Sequence, residues 1–128
     1  VSGLLLDTHA LLWYAATNPL LSAETVRQVN DADDVFVSAA SAWEIRTKAR
    51  IGKLPGARSV SRDVQAAVRR MRFRELPIGF ADAERAGALP GAHRDPFDRL
   101  LAAQALNHGL ALVSNDEALD VFGVRRVW

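Results

Sequence analysis

Asp7, Glu44, Asp98 and Asp116 stand in this 128-residue chain where carboxylates can do chemistry. Asp7 lies directly behind Leu4-Leu5-Leu6, Glu44 in the first turns after Val35-Phe36-Val37, Asp98 in the first turn after Asp95-Pro96, and Asp116 just past the apolar run 110–113. Carboxylates brought within a few ångströms of one another repel, so one of them takes up a proton unless a cation neutralises the set. A hard divalent ion with oxygen ligands, Mg2+ or Mn2+, is the usual solution. Such an ion lowers the pKa of a bound water, polarises a phosphate oxygen and stabilises a leaving oxygen, which is the chemistry of metal-dependent phosphodiester hydrolysis.

Each acid also has an ordinary structural reading. Asp7 can end a strand and turn the chain, although a charge directly behind three buried leucines is costly. Glu44 can be the capping-box partner of Ser41 or an i to i+4 partner of Lys48, and a helical wheel turns it away from Ala42, Ile45 and Ala49. Asp98 can be a dipole-favoured acid below the cap Asp95, and Asp116 can be an ordinary N-cap. Spacing alone does not decide between these readings, and convergence at one edge of a sheet favours a shared site.

The elements that must gather these residues alternate along the chain. A buried strand is predicted over 3–7, then a helix from Thr8 to Ala16, with no charge on any face after Thr8, which calls for burial on several sides. Asn18-Pro19 stops it, and Ser22 caps a polar helix to about Val29. A strand over 35–37 leads into a helix over 38–50 ended by Gly52 and Pro55, and Ser61 caps a basic helix to about Arg72. A strand over 74–78, a helix over 80–88, a helix from Asp95-Pro96 to His108 stopped by Gly109, a strand over 110–113, a short helix to about Val121 and a strand over 124–128 complete the chain. Strands joined by helical crossovers imply an α/β sandwich, a mainly parallel central sheet flanked by helices, with its functional crevice at the carboxyl ends of the strands.

Length and composition bound the rest. The chain suits a single domain over 1–128, and 49% hydrophobic with 24% charged residues is ordinary globular composition. The absence of cysteine excludes disulfides, thiolate metal sites and cysteine nucleophiles. No stretch suits a bilayer and no basic segment precedes the leucines as a secretory signal, so a cytoplasmic protein is expected. The net charge of +1 is unevenly distributed, because residues 46–74 carry ten basic groups against Asp63 alone. That excess suits either a polyanion partner or a solvated helical face.

Four segments in register resemble the PIN domain, in its branch of VapC toxins. They are Leu-Leu-Leu-Asp-Thr-His-Ala-Leu-Leu-Trp at 4–13, Ser-Ala-Trp-Glu-Ile with Lys48 and Gly52-Lys53-Leu54 at 41–54, His-Arg-Asp-Pro-Phe-Asp-Arg-Leu-Leu-Ala-Ala-Gln-Ala at 93–105, and Leu-Val-Ser-Asn-Asp at 112–116. The resemblance implies a three-layer PIN-like fold and a metal-dependent endoribonuclease toxin of a type II toxin–antitoxin pair. Asp7, Glu44, Asp98 and Asp116 match the family's four acidic positions. Asp7 and Asp98 would be the principal Mg2+ ligands, with Mn2+ able to substitute. Glu44 would complete the ligand set or hold a water, Asp116 would act from just outside it or at a second ion, and Thr8 and Ser114 would orient ligands or water. Metal-activated water would attack in line and leave 5′-phosphate and 3′-hydroxyl ends. The implied partners are an RNA substrate, a VapB-type antitoxin whose C-terminal segment blocks the site, and a second copy in a homodimer.

Arg46, Lys48, Arg50 and Arg99 are the cations expected to contact RNA phosphates. His9 and His93 flank the expected site and read as loop or core histidines, and His108 as a helix C-terminal cation. Trp13, Trp43 and Trp128 read as core or interface packing residues rather than base-stacking platforms. A receiver domain also gathers carboxylates at strand ends, but the only lysines are Lys48 and Lys53, so none follows the last strands to meet a phosphoryl group. A haloacid dehalogenase-type phosphatase needs Asp-x-Asp after its first strand, where this chain has Asp7-Thr8-His9. A noncatalytic module of the same fold, binding RNA or protein, is the remaining alternative.

Overall fold

Three consecutive leucines form the middle of the sheet because a strand covered on both faces needs apolar residues at every position. The structure, a computed structural model, describes residues 3–54 and 58–128, apart from the side chains of Arg58 and Ser59. Strand β1 (Gly3–Leu6) is buried throughout and pairs in parallel with β2 (Asp34–Ser38) and with β4 (Ala111–Val113). β3 (Arg74–Leu76) adds beyond β2 and β5 (Arg126–Val127) beyond β4, giving the order β3-β2-β1-β4-β5 with every pair parallel. The sheet expected to be mainly parallel is therefore wholly parallel. Its edge strands are shorter than the predicted 74–78 and 124–128, since they pair on one side only. A Cβ on Gly3 would lie 2.6 Å from Leu110 Cδ2, so a larger residue at the start of β1 would have to displace the Leu110 side chain.

Alternation along β1 divides the core in two. Leu4 and Leu6 pack with Val35, Val37 and Val113 against α1 (Thr8–Ala15), α2 (Ala23–Asp31), α3 (Ala39–Arg50), the short α4 (Arg58–Ser61) and α5 (Val64–Arg70). Leu5 packs on the other face with Leu76 and Leu112, against α7 (Pro96–His108) and a 3-10 helix (Glu117–Phe122). α6 (Phe80–Ala88) lies against α7. These three layers form an α/β sandwich.

Several local expectations change in tertiary context. Ser38 caps α3 by accepting from Ala40 N at 2.9 Å, so Ser41 falls inside the helix, buried, and the Ser41–Glu44 capping box does not form. The basic helix divides into α4 and α5, and Asp63 rather than Ser61 caps α5 through Ala66 N. α1 is not buried all round, because Trp13 and Tyr14 are half-buried and Ala15 is exposed. Pro55 lies outside the described residues, and α3 ends before Gly52, whose φ of 72° suits glycine. Among the described residues no helix is long and apolar enough to cross a membrane.

Candidate active site

An all-parallel sheet sends every strand's carboxyl end to one edge, and three strand exits carry the acids there. β1 runs into Asp7 and α1, β2 into Ser38 and α3, and β4 into Ser114 and Asp116. The first turn of α7 brings Asp98 to the same place, and the result is a cleft of about 350 Å³ lined by Asp7, Thr8, Glu44, Asp98 and Asp116. His9, Lys48, Asp95 and Asn115 complete its wall. The four acids singled out in the sequence thus line one cleft.

Asp7 is the N-cap of α1, its Oδ1 accepting from Ala10 N at 2.7 Å, and it is buried. The buried Ser114 hydroxyl also bonds the Asp7 side chain and accepts from Asp116 N at 3.1 Å, so one hydroxyl links two of the acids. Glu44 is buried as well, contrary to the helical wheel that turned it away from Ile45, because Thr8 of α1 lies over it. Both its oxygens are engaged: Oε1 accepts from Thr8 Oγ1 at 2.5 Å and Oε2 from Lys48 Nζ at 2.5 Å. Asp116 caps the 3-10 helix through Ala118 N at 3.0 Å. Asp95 caps α7 through Phe97 N and Asp98 N, which leaves the Asp98 carboxylate for the cleft and for His93, whose Nε2 is 2.8 Å from Asp98 Oδ2.

Electrostatics mark the same residues. Burial raises the pKa of Asp7, with the charge of Asp98 adding to it, although bonds from Ser114 and Ala10 oppose the rise. Burial likewise raises Asp98, and the charges of Asp95 and Glu44 push the same way against the His93 bond. Lys48 stays firmly cationic because the bond to Glu44, and then the charges of Glu44, Asp95 and Asp98, outweigh its partial burial. A donor set of carboxylate oxygens held above their ordinary range fits a hard divalent cation, which relieves the repulsion that raises them.

The basic residues separate on inspection. Lys48 lines the cleft and Arg50 is exposed at the end of α3. Arg46 is exposed but fastens to the α4–α5 turn, donating to the carbonyls of Ser61 and Arg62 at 2.7 and 2.8 Å. Arg99 departs from the expected phosphate contact. Its guanidinium donates to the carbonyls of Ala86 at 2.9 Å, of His93 at 2.8 Å and of Leu89, and lies 5.4 Å from the centre of the Phe122 ring. A guanidinium with a bond on each of its three nitrogens clamps the loop before α7. In the basic stretch, Arg69 pairs with Glu75 and Arg74 with Asp34.

His93 lies in the loop before α7, flanking the site as expected, and it touches Asp98; among the described residues the set of three metal-capable side chains whose ligand atoms lie within 4.8 Å of one another is His93, Asp98 and Asp116. Its placement two residues before the cap Asp95 was the available signal. Trp43 is 56% exposed, so it is not a core residue, and its ring stands edge-on to Phe97 at 4.8 Å. Trp13 does pack, edge-on to Trp128 at 5.8 Å.

Comparison with known proteins places this fold and site. The PIN domain model matches residues 4–124, and the chain belongs to the PIN domain family. Within the family it stands with the VapC proteins: it is 32% identical over 120 residues to Ribonuclease VapC22 of Mycobacterium tuberculosis, covering 93% of this chain and 91% of that one. The fold is shared with VapBC2 from Rickettsia felis bound to a DNA fragment from their promoter, at a TM-score of 0.71 and 13% identity, covering 98% of this chain and 97% of that one. It is shared equally with DNA-bound VapBC from Salmonella typhimurium, at a TM-score of 0.71 and 18% identity over 99% and 98% of the two chains.

Proposed function

We infer that the chain is one PIN domain acting as a divalent-cation-dependent endoribonuclease, the toxin of a VapBC-type pair, with RNA as substrate, a VapB-type antitoxin as inhibitor and a second copy as dimer partner. The observation that carries this reading is the pair Asp7 and Asp98, two carboxyls raised by burial and by neighbouring charge in a cleft that Glu44 and Asp116 also line. The ribonuclease name of the relative and the VapBC assemblies that share the fold support it.

Asp7 and Asp98 would hold the cation, Asp7 fixed by Ala10 N and Ser114 and Asp98 set in the first turn of α7. Bound there, Mg2+ or Mn2+ would polarise the scissile phosphate and activate the attacking water. Glu44, tied to Thr8 and Lys48, acts by orienting rather than by ligating freely, since both its oxygens already carry partners. Lys48 holds a positive charge at the wall of an otherwise acidic cleft, where it can meet an RNA phosphate that the carboxylates alone would repel. Asp116, with Oδ1 on Ala118 N, keeps its second oxygen for water or for a second ion.

The test is cleavage of a total RNA pool by the purified protein with Mg2+ or Mn2+, with EDTA and Asp98→Asn as controls and end chemistry mapped by ligation. Metal-dependent cuts leaving 5′-phosphates, lost in both controls, are expected. Cleavage indifferent to EDTA and to Asp98→Asn, or no cleavage by a folded, antitoxin-free sample, would leave a noncatalytic binding module of the same fold.

A further inference from the structure

We propose that His93 is a nitrogen ligand of the cation site, so that the site favours a first-row transition ion over Mg2+. The inference rests on the reading above that the cleft holds a divalent cation, and it adds a donor that is not a carboxylate.

The geometry is that of ligands around one ion. His93 Nε2, an Asp98 oxygen and an Asp116 oxygen lie within 4.8 Å of one another, and Nε2 is 2.8 Å from Asp98 Oδ2. Bonds of about 2.1 Å at right angles separate neighbouring ligand atoms by about 3 Å and opposite ones by about 4.2 Å, so the three atoms lie near the separations that one shared ion requires. The imidazole is also held in place by groups other than Asp98. Its ring stands edge-on to Phe122 at 5.8 Å, and its backbone carbonyl accepts from Arg99 at 2.8 Å. Arg99 in turn lies over the same Phe122 ring, so the loop that delivers His93 is clamped at both ends. A ligand whose orientation is fixed by its surroundings is pre-organised for metal rather than dependent on it. Mg2+ takes oxygen and keeps its waters, whereas an imidazole nitrogen raises affinity for first-row transition ions, which gives the site a basis for choosing.

Mn2+ serves as the probe. Its binding to the antitoxin-free protein is measured by electron paramagnetic resonance, Mg2+ affinity by competition, and nitrogen coupling to the bound ion by electron spin echo modulation with natural and 15N-histidine protein. The variants are His93→Gln and His9→Gln, the second because His9 is the histidine that lines the cleft wall while His93 reaches it through Asp98. Expected are a histidine nitrogen coupling that survives His9→Gln and vanishes in His93→Gln, and a Mn2+ affinity that falls about tenfold in His93→Gln while Mg2+ affinity falls less. Should His93→Gln not fold, coupling retained in the His9→Gln protein supports the proposal by itself. Mn2+ bound without nitrogen coupling, or coupling lost in His9→Gln, overturns the ligand role of His93 and leaves the cation reading standing. A folded protein that binds no Mn2+ overturns both.

Discussion

Replacing Arg99 by alanine separates a clamp from a phosphate contact. The guanidinium donates to the carbonyls of Ala86, Leu89 and His93 and lies over Phe122, joining the end of α6, the loop before α7 and the 3-10 helix. A hydrogen bond to a charged group contributes about 1.5 to 3 kcal/mol, and carbonyls in a loop recover part of that from water, so three such bonds amount to about 3 kcal/mol. At about 2.1 cal/mol/K per residue, 128 residues have an unfolding entropy of about 0.27 kcal/mol/K, and the loss lowers the melting temperature by about 11 °C. Arg99→Lys keeps the charge but cannot fork to three carbonyls, and should recover only a small part of the loss. The assay is thermal unfolding by circular dichroism beside RNA affinity measured against salt. Arg99→Ala with an unchanged melting temperature and a salt slope reduced by about one would refute the clamp and restore the phosphate contact.

Three further outcomes follow from the geometry. Asp7→Asn keeps an oxygen for Ala10 N and removes a charge that burial disfavours, so it should abolish RNA cleavage without lowering the melting temperature. Because the folded pKa of Asp7 is raised, the metal-free folded state binds more protons than the unfolded one, and stability falls as pH rises from about 3.9 through the folded value; unfolding free energy against pH in EDTA should show that fall in the wild type and less of it in Asp7→Asn. Gln104→Leu strands the Ser38 hydroxyl and the Pro77 carbonyl at a fully buried position and should cost about 2 to 4 kcal/mol in urea unfolding. For Asp82, burial alone would raise the pKa, but bonds from Asn107 and Gly79 and the charge of His108 lower it, so it stabilises above about pH 3.9 and the benefit is lost as pH falls through the depressed value. Asp82→Asn should therefore be the less stable protein at neutral pH, with the gap closing in acid.

What could be seen in the sequence was whatever depends on neighbours along the chain. The three leucines and Asp7 mark the central strand and its exit, and Asp95-Pro96 marks the start of α7, because burial on two faces and a capped first turn leave local signatures. Arg99 leaves none: it stands four residues after its helix cap like any exposed arginine, and its role depends on the carbonyls of Ala86 and Leu89, which only the packing of α6 against α7 brings near. The exposure of Trp43 was hidden for the converse reason. Its helix looks amphipathic, but the buried stripe is Ala40, Ser41, Glu44 and Ile45, polar at two positions because Thr8 and Lys48 satisfy them. A wheel that counts only apolar residues then places the buried face wrongly.

The choice between cap and site that the acids posed along the sequence was a false one. Asp7, Asp95 and Asp116 all cap helices, and in each the bonded atom is Oδ1. A carboxylate has two oxygens, and a helix N-terminus holds one of them while its dipole favours the charge. The cap thus fixes the side chain's direction through one oxygen, and in Asp7 the Ser114 hydroxyl holds it further, so little rotamer freedom is left to these acids at the cleft. This explains why the acids stand at helix entries rather than along the strands. A parallel sheet brings helix N-termini and strand carboxyl ends to the same edge, and the residues that begin the helices are the ones that such an edge can orient. It also explains the different position of Glu44, a full turn inside α3. Having no cap to hold it, it is held by Thr8 and Lys48 instead.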